Sequence, residues 1–206
     1  MVMATDSKPG FEGSSPSMRT FSFWENNMKL ETGDIILSSK KSIIARFMNW
    51  FQHDPVFWGH CSVAKDSETV WEASYILKES PVHEVIDSGP FKMIRFNNLT
   101  EEQKEIMRQE APKLLGYPYG IFRLFLQLLD HVFHTNWFTD QDDQEKLQVC
   151  SSYVAWIYDK AGGYKFNDVD WESCDPDDID DDSLLFPERW VVLDERNADL
   201  RVIRRN

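Results

Sequence analysis

Apolar positions along this chain follow two different periods, and the change between them near residue 100 organises it. Before that point apolar residues come in short blocks or alternate with polar ones, which is the strand signature. Asp34 to Ser38 (DIILS) reads as a short buried strand after a Gly turn. Gly59 to Lys65 and Thr69 to Tyr75 read as two strands around a turn at Asp66-Ser67. Val82 to Ile86 and Lys92 to Phe96 read as two more, separated by Ser88-Gly89-Pro90. One helical stretch interrupts them: Ile43, Ile44, Phe47, Met48 and Phe51 share a face over 42–52, and His53-Asp54-Pro55 ends it.

After residue 100 the period becomes helical. Thr100 with Gln103 three residues on is a capping-box pattern, and the helix that it starts runs to Leu115 and stops at Gly116. A second, very apolar helix is expected over Tyr119 to Phe133. A third covers 147–163, where Cys150, Val154, Ile157, Tyr158 and Ala161 form one stripe, Lys160 lies in the last turn and Gly162-Gly163 stop the helix. Trp190 to Leu193 resembles a last strand. No internal repeat is visible.

Residues 1–27 are rich in Ser, Gly, Pro and Met without any period, and read as a flexible N-terminal leader. Residues 28–206 read as one domain, because 206 residues support a single sizeable core and 42% hydrophobic content is globular. A net charge of −13 argues against nucleic acid as a partner, since phosphates need a basic surface. Three cysteines without a CxxC pair argue against a disulfide framework and against a thiolate zinc site, and fit a reducing compartment. The start of the chain lacks the apolar core of a signal peptide. Its most apolar stretch, Ile121 to Leu129, contains Arg123 and is too short to span a bilayer. No integral membrane segment is therefore expected, and the default location is cytoplasmic. From Asp168 to Asp182 there are nine acidic residues and no basic one. A calcium loop would need Gly at Ser173 and Glu at Ile179, so the run reads as a solvated acidic loop.

Chemistry enters with Cys150. A thiol in the first turn of a helix feels the positive end of the dipole, which favours the thiolate. A nucleophilic cysteine also needs a His within reach and a third group to orient that His. His131 and His134 lie at i and i+3 without an accompanying Glu-x-x-His pattern, so no metal is expected; His53 lies in a turn, and His83 lies beside Glu84 without a second His four residues on. His60 is different. It opens an alternating strand with Ser62 and Ala64 on its face, and a three-residue loop at Lys65-Asp66-Ser67 would pair it directly with Glu72 of the next strand. A carboxylate beside an imidazole fixes its tautomer and raises its basicity.

The order His60, Glu72, Cys150 is the reverse of the usual papain-like order, and six short blocks match a family in which the order is permuted. They are Gly33-Asp34-Ile35-Ile36-Leu37, Gly59-His60, Trp71-Glu72-Ala73, Gly116-Tyr117-Pro118-Tyr119, Cys150-Ser151-Ser152-Tyr153-Val154 and Asp175-Pro176-Asp177-Asp178-Ile179. Across residues 31–193 the chain resembles the permuted papain-like enzymes of the YiiX/YaeF type, relatives of the NlpC cell-wall peptidases and of the lecithin–retinol acyltransferase group. It departs from them at Cys61, where a small aliphatic residue is more usual, and at Ser152, where Cys-Ser-Glu is the common form. The resemblance implies an α+β fold, a circularly permuted papain-like (NlpC-like) one, with an antiparallel sheet packed against helices. It implies Cys150 as nucleophile, His60 as base and Glu72 as the third residue. Tyr119 and Ser151 are candidates for the substrate cleft, and no cofactor is implied. The expected activity is that of a cysteine peptidase or amidase on a peptide or acyl-amide, with peptidoglycan peptides as one substrate class. A cell-wall substrate would then require a phage lysis or injection route. An acyltransferase or lipid-ester hydrolase using the same Cys-His pair, and a non-catalytic binding module, are the alternatives.

Overall fold

The β-rich first half of the chain folds into strands whose two faces are both covered. The computed structural model describes residues 29–39, 58–87, 89–117 and 149–196. The leader over 1–27, the helices expected over 42–52 and 119–133, and Tyr119, His53, His131 and His134 lie outside these residues. Six strands form one antiparallel sheet: β1 (Ile35–Ser38), β2 (His60–Ala64), β3 (Thr69–Ala73), β4 (Leu77–Pro81), β5 (Phe91–Phe96) and β6 (Trp190–Arg196). Their order is β4-β3-β2-β1-β5-β6. The first five strands come from before residue 100, and β6 returns from the end of the chain to pair with β5. The coarse class is thus α+β, with an antiparallel sheet against helices.

Alternation sorts the strand residues onto two cores. Ile35, Leu37, Cys61, Val63, Trp71, Ala73 and Ile94 pack against the long helix that begins at Cys150. Ile36, Ala64, Val70, Phe91 and Met93 pack on the other side against Val82, Val85 and Ile86. These last three were expected in a strand. Instead Val82–Ile86 is a short helix, α1, and the strand is the segment before it, β4. Spacings of three and four place Val82, Val85 and Ile86 on one helical face, and so short an apolar run fits either period. β4 lies at the sheet edge, where Pro81, lacking an N–H, is tolerated.

The helix after Thr100 forms as expected. Thr100 Oγ1 accepts from Gln103 N–H at 3.2 Å and Gln103 Oε1 accepts from Thr100 N–H at 2.9 Å, completing the capping box of α2 (Glu101–Glu110). Its last turn tightens into a 3-10 segment over Ala111–Leu114, which contains Pro112. Gly116 then reverses the chain with φ +85. α3 (Cys150–Gly162) ends at Gly163 in the left-handed conformation, a Gly stop of the expected kind.

From Asp175 onward the acidic run is not a solvated loop. Asp175 caps α4 (Pro176–Leu185): its Oδ1 accepts from the N–H groups of Asp177 and Asp178 at 2.8 and 2.9 Å, and Asp178 Oδ2 accepts from Asp175 N–H. Asp180 and Asp182 are buried. Lys92 Nζ, also buried, donates to Asp180 Oδ1 at 2.7 Å and to the Ser183 hydroxyl at 2.7 Å. Trp190 Nε1 donates to Asp182 Oδ2 at 2.8 Å, and Asn167 N–H to its Oδ1 at 2.9 Å. These partners lie up to 88 residues away in the chain, so a reading of local charge density misses them. Among the described residues no helix is long and apolar enough to cross a membrane.

Candidate active site

The β2–β3 hairpin places a carboxylate against an imidazole. Asp66 sets the loop: its Oδ1 accepts from Glu68 and Thr69 N–H groups, each at 2.9 Å, and Lys65 N–H closes the ladder onto Thr69 O at 2.9 Å. The loop is therefore Asp66–Glu68, one residue later than the spacing predicts, and Glu72 lies opposite Ser62, not His60. Moving the loop by one residue moves the pairing by two, and a two-residue shift preserves the face. His60 and Glu72 end as diagonal neighbours on one face, a separation that two long side chains can close. His60 Nε2 meets Glu72 Oε2 at 2.8 Å.

Glu72 is 2% exposed, so both of its oxygens need partners. Oε2 has His60. Oε1 accepts from the Ser80 hydroxyl at 2.7 Å, and Lys78 Nζ stands 3.4 Å from the same oxygen. The β3–β4 register puts Lys78 directly opposite Glu72 and Ser80 opposite Val70, all on the His60 face. Two further hydroxyls on that face are buried: Ser38, paired across β1 with His60, and Ser62, each without a hydrogen-bond partner among the described residues.

Cys150 comes to this pair from the start of α3. Its helix has Val149 at the N-cap, a side chain with no acceptor, and Ser152 Oγ accepts from Val149 N–H at 2.9 Å. The first turn thus has no side-chain cap on its N–H groups. The Cys150 sulfur lies close enough to both His60 and Cys61 for each to act on its charge. Because Glu72 occupies Nε2, Nδ1 is the ring nitrogen left for the sulfur. Cys150 is 5% exposed and His60 is 7% exposed, so each keeps a small opening to solvent.

The electrostatics follow from these contacts. The hydrogen bond from Cys61 and that from His60, together with the imidazole's positive charge, hold the Cys150 thiol well below its usual range despite burial. Burial alone would push His60 down. The hydrogen bonds to Cys150 and Glu72, and the negative charge of both, outweigh it and raise His60 from 6.5 to about 9. Both directions favour a thiolate–imidazolium pair at neutral pH. Burial, and the neighbouring Cys150, push the Cys61 thiol well up, so it stays protonated and can donate. Burial likewise pushes up Cys174. Three thiols in one core thus have two opposite states.

The expected Cys150, His60 and Glu72 are brought together. Ser151 is 2% exposed and its hydroxyl donates to Cys174 O at 2.7 Å, tying the start of α3 to the segment before α4. Cys61 and Ser80 were not anticipated as site residues. Cys61 was visible only as a departure from the family pattern, and Ser80 lies in a strand that the apolar pattern hides. Among the described residues no group of three or more His, Cys, Asp or Glu side chains is placed to hold a metal ion.

No protein-family model and no curated protein matches this chain.

The site offers a cysteine held toward its thiolate at a helix N-terminus, an imidazole held toward its protonated form beside it, a buried carboxylate behind the imidazole, and backbone N–H groups where negative charge could collect. That set can add sulfur to a carbonyl and protonate what leaves.

Proposed function

We propose that the protein is a cysteine-dependent hydrolase of amide bonds, acting on a peptide or acyl-amide through a thioester intermediate. The observation that carries this is the buried hydrogen bond between Glu72 and His60, with Cys150 beside the same imidazole and both groups biased toward the ion pair. The reading of the fold as a circularly permuted papain-like one of the NlpC type is part of the same proposal. It is supported by the chain order of the three residues and by a sheet that carries the His and Glu beside a helix led by the Cys.

The reaction runs in two halves. The Cys150 thiolate attacks the carbonyl carbon, forming a C–S bond while the carbonyl oxygen takes the negative charge. The Cys150 backbone N–H at the uncapped start of α3 is the nearest candidate donor to that oxygen. His60 then gives its proton to the amine nitrogen, the C–N bond breaks and the amine leaves. In the second half His60, now neutral, takes a proton from water as the water attacks the thioester. The C–S bond breaks, the acid leaves and the thiolate returns. Glu72 stays ionised throughout and steadies the imidazolium.

The experiment is brief incubation with activated peptide amides and acyl esters, followed by peptide mass spectrometry. An acyl group on Cys150 that disappears in water with release of the acid supports hydrolysis. Transfer of that group to an added amine or alcohol in preference to water would move the assignment to an acyltransferase. No acyl group on Cys150 with any donor, and turnover undiminished in Cys150→Ala, would remove the enzyme reading.

A further inference from the structure

We propose that Ser80 is a positioning residue that holds Glu72 on His60 against the pull of Lys78. The inference rests on the reading of Cys150, His60 and Glu72 as the reactive group. Ser80 is 1% exposed and meets the site through its hydroxyl, which donates to Glu72 Oε1 at 2.7 Å. An ionised carboxylate only accepts, so the hydroxyl proton points at Oε1. With that oxygen fixed, the other is directed at His60 Nε2 at 2.8 Å.

The need for a fixed oxygen comes from Lys78. It lies directly across from Glu72 in the sheet, 3.4 Å from Oε1, with its side chain 40% exposed. Glu72 thus stands between two cationic partners on opposite sides, a buried imidazolium on β2 and a flexible ammonium on β4. The carboxylate has a rotatable end, and an ammonium on a long stem can follow it outward. The Ser80 hydroxyl makes the inward arrangement the one in which all of the buried acceptors are used. The groups that face the His60–Glu72 pair are Cys150 from α3, Ser62 from β2, Ser38 from β1, and Lys78 with Ser80 from β4.

The test follows His60 itself, by the pH titration of its carbon-13-labelled imidazole in the full chain. With Ser80→Ala, Glu72 turns toward Lys78 and the His60 midpoint falls by about one pH unit. Ser80→Thr, which keeps the hydroxyl, leaves it in place. Adding Lys78→Met to Ser80→Ala removes the competitor and returns the midpoint toward that of the unaltered chain, whereas Lys78→Met alone changes little. A role in stability alone would not be reversed by a second substitution at position 78. Should alanine destabilise the strand, Ser80→Cys keeps the volume, weakens the donor and gives the same comparison. An unmoved midpoint in Ser80→Ala, or a fall that Lys78→Met does not reverse, overturns the positioning role. Failure of the enzyme reading looks different: no acyl group would form on Cys150 in the unaltered chain, whatever His60 does.

Discussion

Replacing Cys61 by alanine should slow alkylation of Cys150 in acid while leaving it unchanged in alkali. The Cys61 side chain is the first of the influences that lower the Cys150 pKa, and His60 adds to it by its own hydrogen bond and by its charge. It can act as a donor because its own thiol is pushed well up by burial and remains protonated. A hydrogen bond to a charged group contributes about 1.5–3 kcal/mol, and one pH unit is about 1.4 kcal/mol. Loss of the donor should then raise the Cys150 midpoint by about one to two pH units. The sign is fixed: the thiolate is the favoured species above the midpoint, so raising the midpoint costs reactivity only below it. Within the acid limb the second-order rate constant for iodoacetamide should fall about 10- to 100-fold. Above pH 9 the two proteins should react alike. Cys61→Ser, which restores a donor, should recover most of the difference, and this separates the hydrogen bond from the small cavity that alanine leaves. The assay is labelling at Cys150 read by peptide mass spectrometry between about pH 4 and 10. An acid limb that Cys61→Ala does not move would refute the argument.

Glu72→Gln should pull the alkaline limb of hydrolysis, set by His60 at about 9, down by about one pH unit or more, because the imidazolium loses a buried counter-charge. Hydrolysis at pH 8 should therefore fall more than at pH 6, and a uniform loss across the profile would count against the role given to Glu72. Asp180→Ala should cost about 3–5 kcal/mol in urea unfolding, since it leaves the buried Lys92 ammonium on the Ser183 hydroxyl without a counter-charge. Thr100→Ala should cost about 1 kcal/mol by the same measurement, by opening the capping box of α2.

Much of this arrangement is legible in the residues because it depends on local periods. The capping box at Thr100, the Gly stop of α3 and the placing of Cys150 in a first turn are set within a few residues of one another. The sharing of one face by His60 and Glu72 survives a misplaced loop, because two-residue shifts preserve faces. The pairing itself does not survive, since Asp66 bonds to the N–H groups of Glu68 and Thr69 and so carries the turn one residue further. What the pattern hides is set by distant partners. β4 carries too few apolar residues to announce a strand, so Ser80 and Lys78 gain their meaning only once β3 is beside them. Asp180 and Asp182 look solvated until Lys92 and Trp190 arrive from other strands. Cys61 lies on the opposite face from His60 by alternation, and only the approach of α3 gives it Cys150 as a partner.

Competition among the three thiols of the unaltered chain tests the central claim most directly. At about pH 6, with limiting iodoacetamide, the label should go to Cys150 well before Cys61 or Cys174, because only Cys150 is held as a thiolate there. Equal labelling of the three, or none at Cys150 until the pH nears that of an ordinary thiol, would contradict the ion pair with His60.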